Sequence, residues 1–161
     1  MIQRIQTLYL VAMIILTATL CSGSIIHVRT TDPQGVSYEY SLNIFYYVIK
    51  QNGIIQETSV QYPLIVIAAM VIGMSLAAMF SFKDRRRQMK FVRINFMMVF
   101  LLFAAVCSIA VMKIPGFSLR TSMPYSVFGI AIMFFMFYLN WRTLRLIKKD
   151  EELVKSADRL R

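Results

Sequence analysis

Four stretches of the chain, residues 8–26, 63–82, 94–112 and 124–141, contain no Asp, Glu, Lys, Arg or His. A helix rises 1.5 Å per residue, so about 20 residues cross the roughly 30 Å hydrocarbon layer of a bilayer. Each stretch is of spanning length. Between the first two the period changes: Val36, Tyr38, Tyr40, Leu42, Ile44, Tyr46 and Val48 alternate with Ser37, Glu39, Ser41 and Asn43, the period-two pattern of a half-buried strand. Asp32, Pro33, Gln34 and Gly35 form a turn signal before it. Asn52-Gly53 forms another after it, since both residues tolerate positive φ in a two-residue hairpin. Ile54, Gln56, Thr58 and Val60 supply a return strand. Leu42, Phe45, Tyr46 and Ile49 also fit one helical face, so helix stands as the alternative for this loop.

Beyond the fourth run, residues 142–161 contain no Gly or Pro, which predicts that the helix continues. Lys148 with Glu152 and Glu151 with Lys155 are i,i+4 pairs. Leu146, Leu153, Ala157 and Leu160 form one apolar stripe, suited to lipid headgroups or to a partner helix. The pattern as a whole predicts an all-α membrane protein: a four-transmembrane-helix bundle with a small extracytoplasmic β-hairpin or sheet between helices 1 and 2, and a cytoplasmic C-terminal amphipathic helix. A single membrane domain over 1–161 accommodates outer loops at 27–62 and 113–123, an inner loop at 83–93 and the tail at 142–161.

Composition agrees, with 58% hydrophobic and 16% charged residues against roughly 45–50% and 25% in soluble domains. The net charge of +10 resolves into topology. Arg4, six basic residues in 83–93 and seven in 142–161 make 14 of the 18 Lys and Arg, leaving Arg29, Lys50, Lys113 and Arg120 on the other side. Cytoplasmic flanks retain positive charge, so both termini and the 83–93 loop are expected inside. Arg85, Arg86, Arg87, Lys90 and Arg93 then meet anionic headgroups, each contributing about 1 kcal/mol near the surface. With no aromatic stacking platform among them, nucleic acid is not expected as a partner. The first run also admits a cleaved signal peptide ending near Gly23 or Ser24; the long apolar run and thin basic start favour a retained helix.

Candidate chemistry is sparse. Ala69, Gly73, Ala77 and Ser81 place a small residue at every fourth position, which permits close helix approach either within the chain or in a homo-oligomer. Cys21 and Cys107 lie at matching depths, so a bridge is conceivable if the first and third helices touch; a packed free thiol is the alternative. His27 is the sole histidine, and a metal site needs more ligands. No ionisable side chain falls inside a span, whereas proton relays and ion-coupled pumps usually need one. Asn95 and scattered Ser and Thr are the polar candidates there. Tyr62, Tyr125, Tyr138 and Trp141 are placed as interfacial anchors, and Pro115-Gly116 as an outer turn. No catalytic residue, cofactor or metal is expected. The functional expectation is a non-enzymatic accessory or scaffold protein with a membrane or envelope protein partner, the alternative being a small oligomeric transporter or channel.

The two ends of the chain, Met1-Ile2-Gln3-Arg4-Ile5-Gln6-Thr7-Leu8-Tyr9-Leu10 and Asp150 through Arg161 with Ser156-Ala157-Asp158-Arg159-Leu160-Arg161, resemble an uncharacterised Bacteroidota family of four-helix inner-membrane proteins, domain of unknown function four-two-nine-three. The resemblance implies a multi-pass protein of the bacterial inner (plasma) membrane with its first helix retained. It transfers no activity and no site residue. The helix, outer sheet, three-helix order also looks like the claudin outline, but the outer loop has no cysteine pair and no Trp, so the likeness stops at topology.

Overall fold

The computed structural model describes the backbone of residues 2–31, 35–82, 84–114 and 119–159, with side chains over 5–31, 35–82, 84–114 and 128–154. The elements run α1 (Ile2–Ser22), β1 (Ile26–Thr31), β2 (Ser37–Leu42), β3 (Tyr46–Gln51), β4 (Ile54–Val60), α2 (Tyr62–Phe80), α3 (Arg85–Lys113) and α4 (Leu119–Arg159). The all-α expectation is therefore corrected. A four-stranded antiparallel sheet in the order β1-β2-β3-β4 stands between α1 and α2, and the chain combines a helical bundle with a full sheet.

The extra strands come from two places that the apolar pattern disguises. Helix α1 stops at Ser22, where Thr19 Oγ1 and Ser22 Oγ donate back to the carbonyls of Ile15 and Thr19. Ile25 and Ile26, the apparent end of the first apolar run, instead enter the sheet: Ile25 N donates to Leu42 O at 2.8 Å, and Ile26 pairs with Leu42. The single long strand expected over 36–48 is broken at Asn43, whose Oδ1 accepts from the backbone N–H groups of Phe45 and Tyr46 at 2.7 and 2.6 Å. This side chain mimics a backbone turn and reverses the chain between β2 and β3. It also shifts the phase of the pattern, so that Tyr46 is 47% exposed and Tyr47 only 2%. The Asn52-Gly53 turn joins β3 to β4 with both residues at positive φ, +49° and +84°. Of the Asp32–Gly35 turn, residues 32–34 lie outside the described set.

Ile26, Val28, Tyr40, Leu42 and Tyr47 form the buried face of the sheet and, with Ile44, join the core of the bundle. The helices pack as a ring, α1 and α3 each lying against α2 and α4. Pro63 stands in the first turn of α2, where its missing N–H costs nothing. Asp84 caps α3, accepting from Arg87 N at 3.1 Å. An aromatic ladder joins α3 to α4, with ring centroids of Phe96 and Phe137 and of Phe103 and Phe134 each 5.6 Å apart. At the sheet end, α4 comes so close to the α1–β1 connection that a Cβ on Gly129 would stand 2.6 Å from both Cα and O of Ile25. Helix α4 then continues unbroken past Trp141 into the tail, as the absence of Gly and Pro there predicts.

Candidate contact surfaces and a buried polar layer

Three regions carry polar organisation. The first joins the sheet to the bundle. Tyr47 Oη donates to the carbonyl of Lys113, at the end of α3, at 2.7 Å. The Lys113 ammonium donates to Ser59 Oγ at 3.1 Å and stands 5.2 Å from the centre of the Tyr47 ring. Burial, and then the neighbouring Tyr40 and Glu57, push the Tyr47 phenol up to about 12. On the outward face Arg29 forms an ion pair with Glu39, its cross-strand neighbour. Strand β4 is exposed along almost its whole length, with Ile54 68% and Ile55 61% exposed.

The second region is the opposite end of the bundle. Arg86, Arg87, Lys90 and Arg93 are exposed, and Arg87 Nε lies 3.1 Å from Asp84 Oδ2. Arg85 differs from them: its Nε lies 3.1 Å from Asp150 Oδ2, and its Nη1 donates to the Asp150 carbonyl at 3.4 Å. It therefore fastens the start of α3 to the α4 extension. Arg145 lies 3.8 Å over the Trp141 ring. Lys148 and Glu152 stand 4.0 Å apart. In the tail stripe Leu146 is half-buried and Leu153 exposed; the side chains of Ala157 and Leu160, and that of Lys155, lie outside the described residues.

The third region is inside the bundle, where two apolar clusters are separated by polar residues. The sheet-side cluster includes Met13, Val71, Val99, Met136 and Leu139, and the distal one is Leu10, Ala78, Val92 and Ile147. Between them along the chain lie Ser75 on α2, Asn95 on α3, and Asn140 and Thr143 on α4, all 0% exposed. Asn95 Nδ2 donates to Ser75 Oγ at 2.9 Å, and Ser75 Oγ donates to Val71 O at 2.9 Å. Asn140 Nδ2 donates to Met136 O at 3.4 Å and lies 3.8 Å from Met13 Sδ. The sequence singles out Asn95 by name and Ser75 only among the scattered Ser and Thr of the spans, and passes over Asn140, one residue before Trp141. The available signal was an amide in each of two spans.

Other expected positions are placed as follows. Helix α2 buries Leu64, Ala68, Val71, Ser75 and Ala78. Ala69 and Gly73 are exposed, and Ala77 and Ser81 half-buried, so the small-residue stripe turns away from the bundle interior. Cys21 and Cys107 are both free thiols. His27 is half-buried in β1 opposite Ser41. Among the described residues no group of three or more His, Cys, Asp or Glu could hold a metal ion. Of the anchors, Tyr62, Tyr138 and Trp141 are exposed, while Tyr125 and the Pro115-Gly116 turn lie outside the described side chains.

Fold and surface together define a class: a four-helix protein whose helices carry windows long and apolar enough to cross a membrane, in Ile5–Ser22, Tyr62–Phe80, Arg85–Lys113 and Phe128–Val154, with a four-stranded sheet at one end. The chain belongs to the family described as Domain of unknown function (DUF4293), which matches residues 2–160, the family that its two ends resemble. No curated protein and no solved structure matches it.

Proposed function

We propose that this protein is a non-enzymatic accessory or scaffold subunit of the bacterial inner membrane, acting through contacts with another membrane or envelope protein. Its termini and the 83–93 loop face the cytoplasm in this reading, and its sheet faces outward. The observation that carries the proposal is the sheet edge: β4 presents Ile54, Ile55 and Val60 to its surroundings outside every apolar helix. Exposed apolar side chains gathered on a small element are the usual mark of an interaction site. The basic ends of α3 and α4 support the orientation.

A photo-crosslinking side chain at Ile55 in intact cells should give one discrete adduct, also recovered with the native protein in mild detergent. Absence of an adduct at Ile54, Ile55 and Val60 alike would remove the basis of the proposal. Orientation is tested with Arg87→Cys in a background lacking Cys21 and Cys107; labelling by an impermeant reagent from the periplasm would invert it. The buried amides favour one competing reading, a small oligomeric transporter or channel. A saturable liposome flux abolished by Asn95→Leu would put that reading first.

A further inference from the structure

We propose that the polar layer between the two core clusters is a water-binding site, in which water donates hydrogen bonds to both Asn95 Oδ1 and Asn140 Oδ1 and ties the α2–α3 pair to the α1–α4 pair. Both oxygens are buried and have no hydrogen-bond partner within the protein. Their orientation is set by their neighbours. The Ser75 hydroxyl already gives its proton to Val71 O, so Ser75 Oγ can only accept from Asn95, which requires the amide nitrogen on that side and turns the oxygen away. Met136 O likewise requires the nitrogen of Asn140. Thr143 spends its proton on Leu139 O at 2.8 Å, leaving only acceptor capacity. Among these four side chains the open groups are acceptors, while the buried donors left without a partner, Gln6 Nε2 and Arg142 Nε, belong to other positions on α1 and α4.

The missing component must bring at least two donors and no net charge. Asn95 and Asn140 belong to helical segments that contribute no carboxylate to this level, and a cation there would lack a counter-charge, which a low-dielectric interior penalises heavily. Water meets both requirements and commonly bridges buried polar groups left unpaired by the fold. The geometry follows from the helix pairing. Asn95 bonds across to α2 and Asn140 reaches Met13 on α1, so each helix pair offers one open oxygen, and the pairing of Phe103 with Phe134 and of Phe96 with Phe137 brings the Asn95 and Asn140 turns of α3 and α4 to about the same level. α3 and α4 are themselves neighbours.

The test uses the full chain in phosphatidylethanolamine–phosphatidylglycerol vesicles, labelled with heavy nitrogen at asparagine and valine, and magic-angle-spinning NMR with magnetisation transferred from water. The sequence has four asparagines; Asn43 and Asn52, in the sheet turns, serve as wet controls, and the buried Val71 and Val99 as dry ones. The side-chain amides of Asn95 and Asn140 should both polarise several-fold faster than the amides of Val71 and Val99. Fast transfer to neither, or to only one, overturns the proposal. In Asn140→Leu, transfer to Asn95 should fall several-fold while Asn43 is unchanged; undiminished transfer to Asn95 overturns the shared bridge. The wild-type comparison stands whether or not the variant folds.

Discussion

The phenol of Tyr47, in the third strand of the sheet, donates its proton to the carbonyl of Lys113, the last residue of α3, at 2.7 Å. A helix leaves its last carbonyls without intrahelical partners, and here a side chain 66 positions away satisfies one of them. The bond therefore couples the sheet to the bundle. Tyr47→Phe keeps the ring and strands the carbonyl, so it should lower stability by about 1–2 kcal/mol, read as thermal unfolding in detergent.

The same residue predicts a pH dependence. The free phenol titrates near 10, whereas in the folded protein burial raises Tyr47 to about 12. Above pH 10 the unfolded chain releases a proton that the folded chain keeps, so unfolding is favoured. The contribution of Tyr47 is whole below pH 10 and is lost as pH rises to about 12. Unfolding followed across this window should show a steeper loss in the native protein than in Tyr47→Phe; parallel curves would remove Tyr47 as the cause.

Gly129 touches backbone. A Cβ there would stand 2.6 Å from Cα and O of Ile25, and neither atom can move without displacing the link between α1 and β1. Gly129→Ala should therefore destabilise by about 1–3 kcal/mol through overpacking, even though alanine is the better helix former by about 1 kcal/mol. Gly73→Ala, with nothing within 4 Å of its Cβ, should be neutral or slightly stabilising. The two melting temperatures, compared directly, check the assignment.

The Asn95–Ser75 bond crosses from α3 to α2 in the core. In a double-mutant cycle, Ser75→Ala and Asn95→Leu should couple by about 1 kcal/mol. Ser75→Ala alone strands the Asn95 amide donor, so it should cost more in the native background than in Asn95→Leu. Strict additivity would show that the bond contributes nothing.

Arg85 and Asp150 hold α4 beyond Trp141 against the start of α3. Asp150→Ala should cost about 1 kcal/mol, as expected of a partly exposed pair. Its clearer effect should be local, with faster protease cleavage of the tail after residue 150 and unchanged cleavage in the sheet. Arg87→Ala, which removes a pair at an exposed position, should change neither rate.

Much of the secondary structure was legible before any tertiary contact was known. Asn52-Gly53 announced its turn because few other dipeptides accept two positive φ values in succession. The unbroken course of α4 into the tail followed from the lack of Gly and Pro. The β2–β3 turn was hidden, because Asn43 makes it with a side chain while the apolar alternation runs on through Ile44 and Tyr46. Strand β1 was hidden for a related reason: Ile25 and Ile26 extend an apolar run whose end is marked only by the Ser22-Gly23-Ser24 break. Those two disguises are why a full sheet read as a minor feature of an all-α protein.

Read alone, the amino-acid sequence determined where the apolar helices lie and how their basic ends are distributed, because hydropathy and charge act residue by residue. The tertiary structure decided which faces of those helices meet, since that depends on which partner reaches each position. It turned the small-residue face of α2 outward, drew Arg85 away from its basic neighbours to Asp150, and placed Ser75, Asn95, Asn140 and Thr143 between two apolar clusters. A polar side chain inside an apolar run has no meaning until its depth and its partners are known, and only the packed bundle supplies both.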